Sequence, residues 1–136
     1  MKKLSLLLII TTGLIFFSCS KNKKTERFNF LTSHIWSADS LLANGVDASG
    51  PGMMLEKFKG DAKFEEDGTG YFGTYTGSWK FYADETEVVI KPDNEPLSFF
   101  CDIIELTISS LKIKTSVPNQ VDPSQPIPIR MTFRAK

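Results

Sequence analysis

Residues 61–82 read DAKFEEDGTGYFGTYTGSWKFY and carry the clearest strand and turn pattern of the chain. Ala62 and Phe64 alternate with polar residues, which is the period-two pattern of a strand with one buried face. The run EDGTG at residues 66–70 then interrupts the alternation with the Asp-Gly pair that hairpin turns favour. Alternation resumes beyond this turn and continues through Trp79. The stretch therefore predicts antiparallel strands joined by a tight hairpin.

The alternation extends in both directions from this hairpin. Upstream, it predicts that Trp36, Ala38 and Leu42 share one face of a strand. Downstream, the adjacent residues Ile103 and Ile104 predict a change of face at a bulge within a long apolar strand. Further alternating segments complete the chain at 87–91, 111–115 and 129–134.

These segments predict an all-β fold. No part of residues 28–136 sustains a helical period over three turns. About eight strands at short, regular spacing predict an antiparallel up-and-down meander that closes into a small barrel. A β-sandwich is the alternative, because periodicity alone does not separate the two architectures.

The first 18 residues have the order of a secretory signal: Lys2 and Lys3, an apolar run at 4–17, and Ser18 before a cysteine. The apolar run, of about 14 residues, is too short to span a hydrocarbon layer of about 30 Å. The segment resembles a bacterial lipoprotein signal of the Bacteroidota type, which implies that Cys19 is the lipidated first residue of the mature chain. Ordinary signal cleavage that leaves a free thiol at Cys19 is the alternative.

The residues after Cys19 predict a lipid-anchored domain in the cell envelope. Residues 19–27 form the lipidated cysteine and a polar, flexible tether, and 28–136 form the barrel domain. Among bacterial lipoproteins, Ser20 rather than Asp after the cysteine implies the outer membrane. The absence of an acidic run implies its periplasmic face. Without residues 1–18 the chain has 16 acidic against 14 basic residues and no basic stripe for nucleic acid.

Residue types that carry catalysis are present but do not form a recognisable constellation. His34 is the only histidine, and Ser78 lacks the flanking pattern of a nucleophile elbow. Cys101 is predicted to be an inert buried thiol without a disulfide partner, because Phe99, Phe100 and Ile103 surround it in sequence. The sequence therefore predicts a protein that is not an enzyme and uses no metal and no cofactor.

An ordered set of short motifs, covering about residues 28–135, resembles the lipocalin-like domain of small bacterial lipoproteins. The resemblance implies a calycin-type barrel with an apolar interior, as in binders of small hydrophobic molecules, and implies no particular ligand. The motifs that carry it are Leu31-x4-Trp36, Asn44-Gly45, Phe64-x2-Asp67-Gly68-Thr69-Gly70, Gly77-x-Trp79 and Ile104-x-Leu106-Thr107-x3-Leu111-x-Ile113.

Two functions remain open from the sequence. The first is binding of a small hydrophobic molecule inside the barrel, with Met53 and Met54 in a lid formed by residues 46–60; the same segment is alternatively a plug. The second is a structural or accessory role in the envelope, with a filled barrel that binds an unknown protein partner. An enclosed pocket favours the first, and an exposed apolar patch favours the second. The predicted inward residues are Trp36, Phe64, Tyr71, Tyr75, Trp79, Phe81, Phe99 and Phe133.

Overall fold

The computed structural model describes residues 24–136, so the predicted signal, Cys19 and most of the predicted tether lie outside the described residues. One α-helix and nine strands follow one another along the described chain, with a single 3₁₀ turn at Glu56–Phe58. Their bounds are α1 Glu26–Thr32, β1 Ile35–Ala43, β2 Val46–Asp47, β3 Asp61–Phe64, β4 Thr69–Phe72, β5 Tyr75–Tyr82, β6 Glu87–Pro92, β7 Phe99–Leu106, β8 Ser110–Val117 and β9 Ile127–Ala135.

The strands form one closed antiparallel barrel. Each strand from β3 to β9 pairs with the next in sequence, and β1 joins β3 on one side and β9 on the other. Closure therefore involves eight strands, while the two-residue β2 is an extra strand paired with β1. The prediction of an up-and-down barrel is confirmed, and the sandwich alternative is wrong because the strands form one continuous sheet.

Two register shifts determine which side chains enter the barrel. The shift between Ile103 and Glu105 confirms the predicted bulge in β7. A second shift lies between Ala38 and Ser40 in β1, where β1 pairs with β9. Because this bulge changes the phase of the alternation, Leu41 is the buried residue, and the prediction that Leu42 lies on that face is wrong.

Helix α1 begins inside the segment predicted to be a tether. Thr25 is its N-cap: the Thr25 Oγ1 accepts a hydrogen bond from the Phe28 amide at 3.0 Å. Leu31 and Thr32 are buried at its C-terminal end. Helix α1 therefore includes residues before 28, and a helix of seven residues is too short for its period to be recognised. Among residues 24–136, no helix has the length and hydropathy needed to cross a bilayer.

Candidate functional site

Aromatic side chains fill the middle of the barrel. Trp36 is 0% exposed, and Phe64 and Trp79 are also buried, as predicted. The Phe64 ring lies 5.1 Å from the Phe72 ring and 5.6 Å from the Trp79 ring, and Trp79 lies 5.4 Å from Phe81, all as centroid distances in edge-to-face contact. These spacings are those of rings in direct contact, so side chains occupy the middle of the barrel.

Tyr71 does not point inward, contrary to the sequence prediction. The register pairs it with Lys63 and Thr76, on the opposite face of the sheet from its buried neighbour Phe72. In the sequence, Tyr71 and Tyr75 lie in the same phase of one continuous alternation. In the structure a two-residue turn separates β4 from β5, so Phe72 and Tyr75 face each other across the hairpin and share the inner face.

The segment 46–60 closes one end of the barrel. Leu55 and Phe58 are buried, and the Phe58 ring lies 5.0 Å from Tyr75 and 5.4 Å from Phe99. Desolvation raises the pKa of the Tyr75 hydroxyl, and the nearby Glu95 carboxylate adds to this effect. The buried residues of this segment, Leu55 and Phe58, therefore act as a plug at this end of the barrel.

Met53 and Met54 lie outside this plug. Both side chains are about half exposed rather than packed over the interior. The lid predicted from these two methionines therefore does not cover the barrel end, where Leu55 and Phe58 provide the apolar contact instead.

Helix α1 closes the other end of the barrel. Leu31 is fully buried, and its carbonyl oxygen accepts a hydrogen bond from the Trp36 Nε1 at 2.9 Å. The Phe28 ring packs against Trp79 with centroids 5.9 Å apart. The remaining predicted inward residue, Phe133, is buried in the same core cluster. The barrel thus has a packed middle and an apolar element at each end.

Two large hollows lie on the outer surface of the barrel. Each has a volume of about 450 Å³. One lies over β5 and β6, the other lies between β7 and the end of β8, and both are lined by Ser98 and Phe100. Because Phe100 projects between them, one aromatic ring borders both hollows.

The outer surface at this place carries an apolar group that we call the aromatic face: Tyr82, Val89 and Phe100, flanked by Lys80 and Lys91. Tyr82 is 56% exposed and Phe100 is 58% exposed. Their rings are in edge-to-face orientation with centroids 6.4 Å apart. Val89 belongs to the same outer row, since it pairs with Lys80 and Phe100, yet it is only 5% exposed.

The aromatic face is not among the predicted sites, although the sequence contains a signal for it. Three strands have apolar residues in both phases of the alternation, at Phe81-Tyr82, Val88-Val89-Ile90 and Phe99-Phe100. A strand with one solvated face should be polar in one of these phases. The second apolar phase on three neighbouring strands marks an apolar area on the outside.

The residues weighed for catalysis stay apart. Cys101 is buried, and this burial, with a smaller contribution from the Asp102 charge, raises the pKa of its thiol to about 12. His34 packs edge-on against Trp36, with ring centroids 5.8 Å apart. Residues 24–136 contain no group of three or more His, Cys, Asp or Glu side chains placed to hold a metal ion.

No protein-family profile matches this chain, and no curated protein matches it. The resemblance to lipocalin-like lipoproteins therefore stays a prediction at the level of family, while the barrel architecture that it implies is present.

Proposed function

We propose that this chain is an envelope lipoprotein, anchored through Cys19 at the periplasmic face of the outer membrane, whose barrel acts as a structural or accessory domain that binds a protein partner. The observation that supports this proposal is the packed barrel with apolar elements at both ends. A barrel of eight strands either is filled by side chains or holds one small ligand, and here side chains occupy the middle.

The alternative function, binding of a small hydrophobic molecule inside the barrel, has less support. Such a ligand would need the space that Phe64, Trp79 and Phe81 fill with rings between 5.4 and 5.6 Å apart. An exposed apolar group lies outside, on the aromatic face. Exposed apolar patches of this kind commonly mark interaction sites.

The anchor is tested by the variant Cys19→Ala. We expect the variant to move from the detergent phase to the aqueous phase on detergent partitioning and to escape lipoprotein-type processing, because the acyl chains supply most of the membrane affinity. If Cys19→Ala still enters the detergent phase, the anchor assignment is wrong. The variant Ser20→Ala is the matched control and should remain in the detergent phase.

The accessory role is tested by site-specific photocrosslinking in intact cells. A photoreactive residue at Phe100 should give a discrete crosslinked product with another envelope protein. The same residue at Ser37, on β1 at the opposite side of the barrel, should not give this product. Equal crosslinking from both positions would indicate random encounters and would contradict the proposal.

A further inference from the structure

We propose that the aromatic face binds an acidic segment of its protein partner, in which carboxylates flank one aromatic or aliphatic side chain. This inference rests on the proposed function and adds the chemistry of the partner.

The apolar part of the recognition comes from Phe100 and Val89. Val89 is nearly buried although its row faces outward, so it forms an apolar floor between its neighbours on β5 and β7. Phe100 stands beside this floor, with a hollow of about 450 Å³ on either side of its ring. An apolar side chain of a partner can enter a hollow and cover the ring, which is the arrangement of an interface hot spot.

The charged part comes from Lys80 and Lys91. Both are exposed and line the hollow over β5 and β6. Within residues 24–136, neither ammonium group lies within 4.0 Å of a carboxylate, whereas Lys112 and Lys114 on β8 have acidic partners at 3.2 and 3.8 Å. Two lysines beside an apolar floor therefore present positive charge that forms no ion pair within residues 24–136.

Positive charge continues at the second hollow, which Lys114 lines, and on β9 beside it. Lys114 lies directly opposite Arg130 in the β8–β9 register, and like charges in this position repel each other. Asp102, which pairs with Lys114, is the only carboxylate among the residues that line the two hollows, and Glu87 lies opposite both Tyr82 and Asp102. Against these two carboxylates stand Lys80, Lys91, Lys114 and Arg130, so positive charge is in excess here. This local excess of positive charge is opposite in sign to the net charge of the mature chain, in which acidic residues outnumber basic ones by 16 to 14. An anionic partner compensates this excess.

The barrel architecture determines how such a segment can bind. Every strand from β3 to β9 has a neighbour on both sides, so a partner cannot add a strand at the aromatic face. Recognition must therefore use side chains. A membrane surface is the less suitable partner, because two lysines contribute only about 1 kcal/mol each toward anionic lipid.

The test selects binders from a random peptide library with the purified full-length chain as target. We expect the enriched peptides to carry acidic residues around an aromatic or aliphatic one. Their affinity should fall about tenfold or more in the double variant Lys80→Glu with Lys91→Glu, and should weaken as salt rises. The double variant Lys57→Glu with Lys59→Glu has the same net charge and should change the affinity less than about twofold.

A second variant separates the apolar contribution. Phe100→Ser should also lower the affinity for the selected peptides about tenfold. Because the Phe100 ring is largely exposed, the variant should keep the near-ultraviolet circular dichroism spectrum of the wild type. The charge variants keep the test decisive if Phe100→Ser fails to fold. Enrichment of neutral or basic peptides, or equal affinity for Lys80→Glu/Lys91→Glu and wild type, overturns the inference.

The outcomes also separate this inference from the proposed function. A specific crosslink at Phe100 together with non-acidic selected peptides overturns only the chemistry proposed for the partner. Absence of any specific crosslink at Phe100 counts against the accessory role itself. Binding to vesicles of phosphatidylglycerol and phosphatidylethanolamine that Lys80→Glu/Lys91→Glu abolishes, without peptide binding, shows a membrane contact and overturns the inference.

Discussion

The Cys101 thiol shows how burial determines the chemistry of a single residue. Its side chain is fully buried in β7, in a closed barrel, so the thiolate has no water to solvate it. The apolar neighbours of Cys101 in the sequence predict a buried thiol, and the structure confirms this burial. The raised pKa makes the thiolate, which is the reactive form, scarce at neutral pH.

The first prediction concerns the pH dependence of stability. The unfolded thiol titrates near pH 9, whereas the folded thiol holds its proton to about pH 12. Protonation therefore favours the folded state fully below pH 9, and this contribution is lost as pH rises toward 12. We expect the free energy of unfolding of wild type to fall over this window relative to Cys101→Ala, measured by urea denaturation. A constant difference between the two proteins across the window contradicts the prediction.

Gly77 shows a different residue-scale constraint, a close approach of two strands. A Cβ atom at this position would lie 2.2 Å from the Lys91 carbonyl oxygen and 2.9 Å from the Pro92 Cα. Gly77 also pairs with Gly70 on β4, where a Cβ would lie 2.3 Å from the Lys63 carbonyl oxygen. Adjacent glycines on neighbouring strands let the sheet bend tightly here.

The second prediction follows from this contact. Gly77→Ala should destabilise the fold by about 2–3 kcal/mol, because backbone atoms of β6 must move to admit the methyl group. Gly50→Ala is the matched control, since its methyl group would meet only the flexible Met53 side chain at 3.1 Å. Chemical denaturation measures both changes. Equal free energies of unfolding for the two variants would contradict the prediction, because they would show that β5 and β6 move apart without destabilising the fold.

Helix α1 is the element whose role the sequence analysis did not anticipate. Besides its buried Leu31, it is held by polar contacts to the β5–β6 turn: the Arg27 Nε donates to the Glu85 carbonyl oxygen at 3.0 Å, and the Thr25 Oγ1 donates to the Glu85 carboxylate at 2.6 Å. Lys24 forms an ion pair with Glu66 at 2.5 Å. The helix therefore belongs to the domain.

The third prediction tests this boundary. A chain that starts at residue 28 lacks the Thr25 cap and the Arg27 contact, and it should be less stable than a chain that starts at residue 24 by about 1–2 kcal/mol. Urea denaturation of both chains measures the difference. The variant Thr25→Ala in the longer chain should lose about 1 kcal/mol, because it removes the cap together with the hydroxyl contact to Glu85. Equal stability of the two chains would contradict the prediction and would indicate that residues 24–27 contribute nothing to the stability of the domain.

The interior of the whole molecule distinguishes the two functions that the sequence left open. Its buried residues form one continuous cluster that runs from α1, through the rings of the barrel, to the 3₁₀ turn. Such close packing leaves little room for a ligand unless side chains move. The function of the whole molecule therefore depends on whether the barrel interior holds a ligand or is filled by side chains.

The fourth prediction is that the interior takes up no apolar probe. An apolar fluorescent dye at tens of micromolar should give no saturable quenching of Trp36 and Trp79 in the folded protein, because both rings are buried among other side chains. The destabilised Gly77→Ala variant, partly unfolded in urea, is a positive control for dye binding. Saturable quenching that fatty acid-like competitors reverse would contradict the prediction and favour the binding of a small hydrophobic molecule inside the barrel.

Much of the fold could be predicted because strand alternation and turn chemistry are local. The hairpin at 66–70, the bulge at Ile103 and the burial of Trp36 and Trp79 each follow from a few neighbouring residues. Regular short spacing then favoured an up-and-down order of strands, and the closed barrel has this order.

The tertiary structure alone decided features that depend on register across strands. The turn after Phe72 placed Tyr71 outside, and the bulge after Ala38 selected Leu41 for the interior, because one residue of shift reverses the face of every side chain that follows. The aromatic face could not be seen from one strand either. Its residues come from β5, β6 and β7, and only their pairing buries Val89 beside Phe100 and leaves two lysines without partners among the described residues. Alternation is a property of one strand, whereas a surface site is a property of several strands in register.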